Sequence, residues 1–258
     1  TINVRVAAIR SYLKYVADTD ISVQSVALAV SQITPCKKIQ KEKEILSEQA
    51  LSAILAAPPC TKTGVRDRAI LVLLYDTAAR ISELLGIRLC DIALDTPYPS
   101  IFITGKGNKE RTIQLSEQSS SHLREYIRVF HRASAKDDYL FFTTIKGVTG
   151  RMSPGNVQRL IKKYAAQARN LGLDIPQSVH PHMFRRTRAT NLYQEGVAIE
   201  LVSTVLGHAR TDTTRNYYAK PSVEQLRKAL ESVPTPASDE EPLWVDSEEE
   251  MARLCGLR

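Results

Sequence analysis

Two arginines, two histidines and a tyrosine are spaced along this chain so that folding could gather them around one anion. The run from His180 to Tyr217 reads His182-Met183-Phe184-Arg185-Arg186-Thr187, then Leu206-Gly207-His208, then Thr213-Thr214-Arg215-Asn216-Tyr217. With Arg80 far upstream, the set supplies two guanidinium groups, two imidazoles and a phenol. A guanidinium fork binds phosphate oxygens bidentately, and imidazole exchanges protons near neutral pH. A phenol attacks once a positive site or a base makes its ionisation easier. Chemistry on a phosphodiester suits this set.

The charge balance points the same way. The 258 residues carry 35 Lys and Arg against 28 Asp and Glu, a net charge of +7. From Val233 onward the acids are Asp239, Glu240, Glu241, Asp246, Glu248, Glu249 and Glu250, against Arg253 and Arg258. Subtracting that tail's −5 from the total of +7 leaves +12 on residues 1–232. A body so basic favours a polyanion, with nucleic acid first among polyanions. The plainer alternative is a basic protein without such a partner.

Cys36, Cys60, Cys90 and Cys255 include no Cys-x-x-Cys pair, which disfavours zinc knuckles and disulfide frameworks. No apolar run approaches the roughly 18 residues of a membrane span, and no signal-peptide pattern is visible. A reduced, cytoplasmic, bacterial setting is expected. The chain starts at Thr1 without an initiator Met, which fits a fragment of a longer protein.

These residues need a scaffold of mainly α class. Val6, Ile9, Leu13 and Val16 recur at helical spacing and predict an amphipathic helix over residues 3–17, with Arg5, Arg10 and Lys14 on its wetter side. A second short helix is expected over 23–30. Thr34 to Lys43 is polar and aperiodic, an exposed linker with a domain boundary near Ile39. Ser47 is placed to cap a helix that Pro58-Pro59 stops, Val65 to Ala78 reads as a buried helix, and Ile81 begins another. Ile101-Phe102-Ile103-Thr104 and Arg111 to Leu115 form a β-hairpin around Gly105-Lys106-Gly107-Asn108-Lys109-Glu110. Tyr139 to Thr143 is a further strand candidate. From Ser153-Pro154 onward helices are expected over 154–170, 182–194, 197–206, 212–218 and 222–231. The expected fold is therefore α+β, mainly α with a small antiparallel sheet. Beyond residue 232, prolines interrupt an acidic, flexible stretch. Glu248 to Leu254 is then expected to form a helix capped by Ser247, and the anchors Trp244, Val245, Met251, Leu254 and Leu257 call for a groove on its own body or on a neighbouring subunit.

Arg80 and Glu83 are the only charged residues between Thr77 and Ile87, three apart on one helical face. A cation in such surroundings needs an anion, and Glu83 could be that partner in a purely structural pair. Taken together, Ala79-Arg80-Ile81-Ser82-Glu83-Leu84, Thr104-Gly105-Lys106-Gly107-Asn108-Lys109-Glu110-Arg111, His182-Met183-Phe184-Arg185, Leu206-Gly207-His208 and Tyr217 resemble the tyrosine recombinase (phage integrase) family in order and spacing. The likeness covers about residues 45–232. Residues 3–30 resemble only the end of that family's core-binding domain, giving three expected parts: 1–38, the catalytic domain 39–232, and the tail 233–258.

The resemblance implies that Arg80 and Arg185 clamp the scissile phosphate, that His182 and His208 hydrogen-bond its oxygens, and that Lys106 is the general acid. It implies a supporting role for Glu83 and makes Tyr217 the nucleophile. Tyr217 and the adjacent Tyr218 are both phenols in reach of the role. The family's spacing of nine residues after the histidine of Leu-Gly-His selects Tyr217. His182 is the expected base. Lys109 is a second choice for the acid, and with Arg111, Arg186 and Arg215 it is expected to contact DNA. Arg186-Thr187 follows Arg185 where the family commonly shows His-Thr, so Arg186 is also a candidate for a salt bridge or backbone contact. His180 reads as structural or DNA-proximal.

The family's phosphotyrosyl bond stores the energy of the broken phosphodiester, so its reaction needs no nucleotide, metal or other cofactor. The expected partner is double-stranded DNA, with four protomers on two duplexes exchanging strands through a Holliday junction and the tail helix docking on a neighbour. A type IB topoisomerase, which relaxes one duplex as a monomer, and a DNA-binding protein without catalysis are the alternatives.

Overall fold

The computed structural model describes residues 2–36, 44–105, 107, 109–207 and 227. The chain divides into two compact units, Thr1–Lys43 and Glu44–Arg258. In the first, α1 (Ile2–Ala17) and α2 (Gln24–Ser31) are joined by a short 3-10 turn at Ile21–Val23. Asp20 accepts the Ser22 amide at 2.9 Å to start that turn, and the Asn3 side chain pairs with both backbone groups of Cys36. None of the residues of α1 or α2 is buried, so Ile9, Tyr12, Val26 and Leu28 face outward.

The second unit begins with α3 (Glu48–Ala56), α4 (Lys62–Asp76) and α5 (Ile81–Gly86). Three strands follow, β1 (Ile92–Ala93), β2 (Ser100–Thr104) and β3 (Glu110–Gln114), then α6 (Glu117–Phe130). The hairpin β4 (Phe142–Ile145) and β5 (Val148–Arg151) precedes α7 (Pro154–Arg169), α8 (Pro181–Gln194) and α9 (Ile199–Leu206). Local chemistry sets the helix starts. Ser47, Thr61, Ser116 and Ser153 each accept the amide three residues on, satisfying a donor the helix cannot pair itself. Pro154 and Pro181 occupy first turns, where no amide is missed.

The sheet is antiparallel in the order β1-β2-β3, with Ile101 opposite Ile113 and Thr104 opposite Glu110. Ile101, Ile103 and Ile113 turn inward onto a core that includes Ile54, Ile70, Leu74, Leu84, Phe141, Ile161 and Phe184. Polar ties fix the helices around it. Thr187 accepts the Leu46 amide and donates to the Met183 carbonyl, so α8 is fastened to the segment ahead of α3. Arg188 pairs with Asp76 at 3.0 Å, and Asp76 also accepts from Ser116, which joins α8, α4 and the cap of α6.

The mainly α architecture with a small antiparallel sheet is as expected from the sequence, with three local corrections. Helix α4 starts at Lys62 rather than Val65, because Thr61 caps it. The strand expected over Tyr139 to Thr143 is displaced to Phe142–Ile145: Leu140 and Phe141 are buried in the core, and Tyr139 makes only an isolated bridge to Arg88. Helix α6 is an addition to the expected elements, and Ser116 and the spacing of Leu123, Tyr126, Ile127 and Phe130 carry its signal. The helices expected over 212–218 and 222–231, and the tail helix, lie outside the described residues apart from Arg227. Among the described residues no helix is long and apolar enough to cross a membrane.

The start of α4 gives a sharp packing test. A Cβ on Gly64 would stand 1.9 Å from the Pro59 carbonyl oxygen, a backbone atom that cannot swing aside. Gly64→Ala is expected to lower stability by about 1–3 kcal/mol or more, measured as the midpoint of thermal unfolding. An unchanged midpoint would contradict this packing.

Candidate active site

Arg80 is the N-cap residue of α5, and its own amide donates to Glu83 Oε2 at 3.0 Å. The Arg80 guanidinium donates to Glu83 Oε1 at 2.6 Å while its side chain stays 39% exposed, free to meet a ligand from solvent. Glu83 is nearly buried, at 4% side-chain exposure, and takes a third bond from Arg111 Nη2 at 2.8 Å. The structural pairing of Arg80 with Glu83 is thus present, and it leaves the cation exposed.

Burial works against the Glu83 carboxylate, yet the hydrogen bonds from Arg111 and from the Arg80 amide and guanidinium outweigh it and hold its pKa below the ordinary glutamate value. A carboxyl lowered on folding contributes stability above its unfolded pKa, near 4.3, and loses that contribution as pH falls through the lower folded value. The stability gap between the wild type and Glu83→Gln is therefore expected to narrow as pH drops below about 4, followed by thermal unfolding across pH. A gap that is constant down to acid pH would contradict it.

The second half of the site is built on α8. His180 is its N-cap, Pro181 opens it, and His182 is exposed on the first turn. One turn further, Arg185 is 1% exposed. Its Nη1 donates to the Ala78 carbonyl and its Nη2 to the Leu206 carbonyl, each at 2.6 Å. Ala78 presents that carbonyl from a left-handed backbone, φ 47°, just before Ala79-Arg80. Leu206 is the last residue of α9, followed by Gly207 in the left-handed cap, φ 63°. One buried guanidinium therefore draws together the Arg80 motif, the His182 motif and the approach to His208. Burial and the positive charge of Arg186 lower the pKa of His180, favouring its neutral form.

Other expected residues divide clearly. Lys109 is exposed on the β2-β3 turn, as a DNA contact requires. Arg111 and Arg186 are instead turned into the protein. Arg111 is 10% exposed on its side chain and bound to Glu83 and the Val205 carbonyl, and Arg186 is 8% exposed. The β3 face and the α8 face that carry them point at the core. Lys106, His208, Arg215, Tyr217 and Tyr218 lie outside the described residues. Among the described residues no cluster of three His, Cys, Asp or Glu side chains is placed to hold a metal. A groove of about 1060 Å³ bordered by α3, α4, α6 and α8 has Leu51, Leu55 and Val72 among its walls and none of Arg80, Arg111, His182 or Arg185.

Fold and site together present an arginine-rich centre on a helical domain. The sequence pattern of the phage integrase family matches residues 44–224, and the chain belongs to that family. It is similar to the tyrosine recombinase XerA of Pyrococcus furiosus, 29% identical over 231 residues that cover 90% of this chain and 73% of the relative. The tyrosine recombinase XerC of Staphylococcus carnosus is 31% identical over 232 residues, covering 88% and 73%. Among solved structures, an XerH site-specific recombinase bound to a palindromic difH substrate superposes with a TM-score of 0.62 at 23% identity, covering 87% of this chain and 71% of that one. The Tn1549 transposon integrase in complex with circular intermediate DNA gives a TM-score of 0.62 at 20% identity, covering 90% and 79%. The chain is accordingly an enzyme of site-specific DNA recombination that cleaves and rejoins DNA, and these likenesses do not favour the topoisomerase or inactive-binder alternatives.

Proposed function

We propose that the site cleaves double-stranded DNA by direct transfer of a phosphoryl group to Tyr217. The Tyr217 oxygen forms a bond to phosphorus, the bond from phosphorus to the 5′ oxygen breaks, and a 3′-phosphotyrosyl intermediate results. The phenolic proton passes to His182, and Lys106 gives a proton to the leaving 5′ oxygen. Arg80 and Arg185 neutralise the charge that builds up on the phosphorane, with His182 and His208 as further donors. Rejoining reverses these steps with a 5′ hydroxyl from either duplex, so no external energy source is needed. The observation that carries this reading is the Arg185 guanidinium, whose two bonds bring its own helix, the Arg80 loop and the end of α9 to one point.

Residues 1–38 are the end of a core-binding domain, 39–232 the catalytic domain and 233–258 a tail. Four protomers on two duplexes pass through a Holliday junction, in a cytoplasmic setting. The tail helix docks on a neighbouring protomer, supported by its apolar anchors from Trp244 to Leu257 and by the groove on α3, α4, α6 and α8. The discriminating experiment offers two duplexes carrying the target site alongside a supercoiled plasmid without it. Joint recombinant products and four-way junctions are expected. Relaxation of the plasmid with no recombinant product would overturn the reading in favour of a topoisomerase.

A further inference from the structure

Arg111 touches more of the site than any role in DNA contact would need. It stands on β3 opposite Ile103, at the foot of the hairpin whose turn holds Lys106 and Lys109. Its Nη2 donates to Glu83 Oε2 at 2.8 Å, and Glu83 in turn holds both the amide and the guanidinium of Arg80. Its Nε donates to the Val205 carbonyl at 3.1 Å, in the last turn of α9. The guanidinium so fills the space beside Gly207 that a Cβ there would come within 2.8 Å of Nη1.

The other end of the hairpin reaches the same carboxylate. A Cβ on Gly105 would lie 3.2 Å from Glu83 Oε1 and 3.4 Å from Arg111 Nη1. Gly105 also donates its amide to the Lys109 carbonyl at 2.7 Å, closing the base of the turn. Glu83 and Arg111 thus sit directly under the residue that precedes Lys106.

We propose that Arg111 is a positioning residue that seats the Lys106 turn against Glu83 and the end of α9, so that the general acid is presented together with Arg80 and the Leu206-Gly207-His208 segment. The geometry has the elements of a latch. One side chain joins the hairpin, α5 and α9, and two glycines leave the room for it. A planar guanidinium can make these bonds at once, in directions that a lysine ammonium on the same strand cannot reproduce. Displacing a proton donor by about 1 Å is enough to cost on the order of 100-fold in rate. The inference rests on the reading of Lys106 as the general acid.

The test uses a duplex in which sulfur replaces the bridging 5′ oxygen at the cleavage point. A thiolate leaves without being protonated, so a defect confined to the general acid disappears with this substrate. Arg111→Met is expected to slow cleavage of the ordinary duplex roughly 100-fold and to cleave the sulfur duplex at close to the wild-type rate. Lys106→Ala should show the same pattern, and Arg111→Lys a smaller version of it. If Lys106→Ala is rescued by sulfur and Arg111→Met is not, Arg111 is merely structural and the proposal falls. If Lys106→Ala itself is not rescued, the general-acid reading fails, and the proposal with it. Wild-type cleavage of the ordinary duplex by Arg111→Met also overturns it. Should the methionine variant fail to fold by thermal unfolding, the ratio of the two rates in Arg111→Lys decides, since a cation is kept against Glu83.

Discussion

Tyr217→Phe is expected to lose covalent attachment to DNA entirely and to lower strand cleavage roughly 10⁴-fold or more, as removal of a nucleophile does in other covalent enzymes. The substitution removes one oxygen and keeps the ring, so folding and DNA affinity should stay at wild-type levels. That separation makes the effect readable: a mobility shift reports binding, and a denaturing gel reports the adduct. Tyr218→Phe is the matched control and should leave the adduct in place. Cleavage that survives in Tyr217→Phe and disappears in Tyr218→Phe would reassign the nucleophile by one residue. The spacing of nine residues from His208 argues for Tyr217.

The second large effect separates the two arginines by burial. Arg185→Ala removes a side chain that is 1% exposed and leaves the Ala78 and Leu206 carbonyls without its bonds. Each buried polar group so abandoned costs about 1–3 kcal/mol, so a marked fall in melting temperature should accompany the loss of cleavage. Arg80→Ala acts on an exposed cation whose partner Glu83 keeps Arg111. It should cost roughly 10²–10³-fold or more in cleavage with a much smaller shift in melting temperature. Equal thermal shifts in the two variants would contradict the division between a buried arginine and an exposed one. Arg185→Lys keeps the charge but cannot reach both carbonyls, and is expected to recover little of the rate.

Much of this was legible because each motif carries a local reason for its place. Ser47 and Ser153-Pro154 announced helices, and Ile101, Ile103 and Ile113 alternate inward as a half-buried hairpin should. Arg111 was also legible in principle. It lies two residues before Ile113 and so on the same inward face, but its charge argued for solvent and DNA. A buried arginine is readable only when its anion is known, and Glu83 lies 28 residues away in sequence. Arg186 is hard to place for the same reason, since the α8 face it occupies is buried. Helix α6 is faint in the sequence because its apolar residues are interspersed with many polar ones, although the period is helical. The left-handed Ala78 could not be foreseen, because alanine gives no sign of a positive φ. It is nevertheless what aims a carbonyl at Arg185.

The most direct measurement traps the wild-type enzyme on a duplex carrying a nick close to the cleavage point, so that the short released strand diffuses away and rejoining is blocked. The adduct is then digested with protease, and the DNA-bearing peptide is sequenced by mass spectrometry. A phosphodiester from the DNA 3′ end to the Tyr217 oxygen is the expected result. An adduct on any other residue, linkage through the 5′ end, or cleavage with no adduct at all would contradict the central claim.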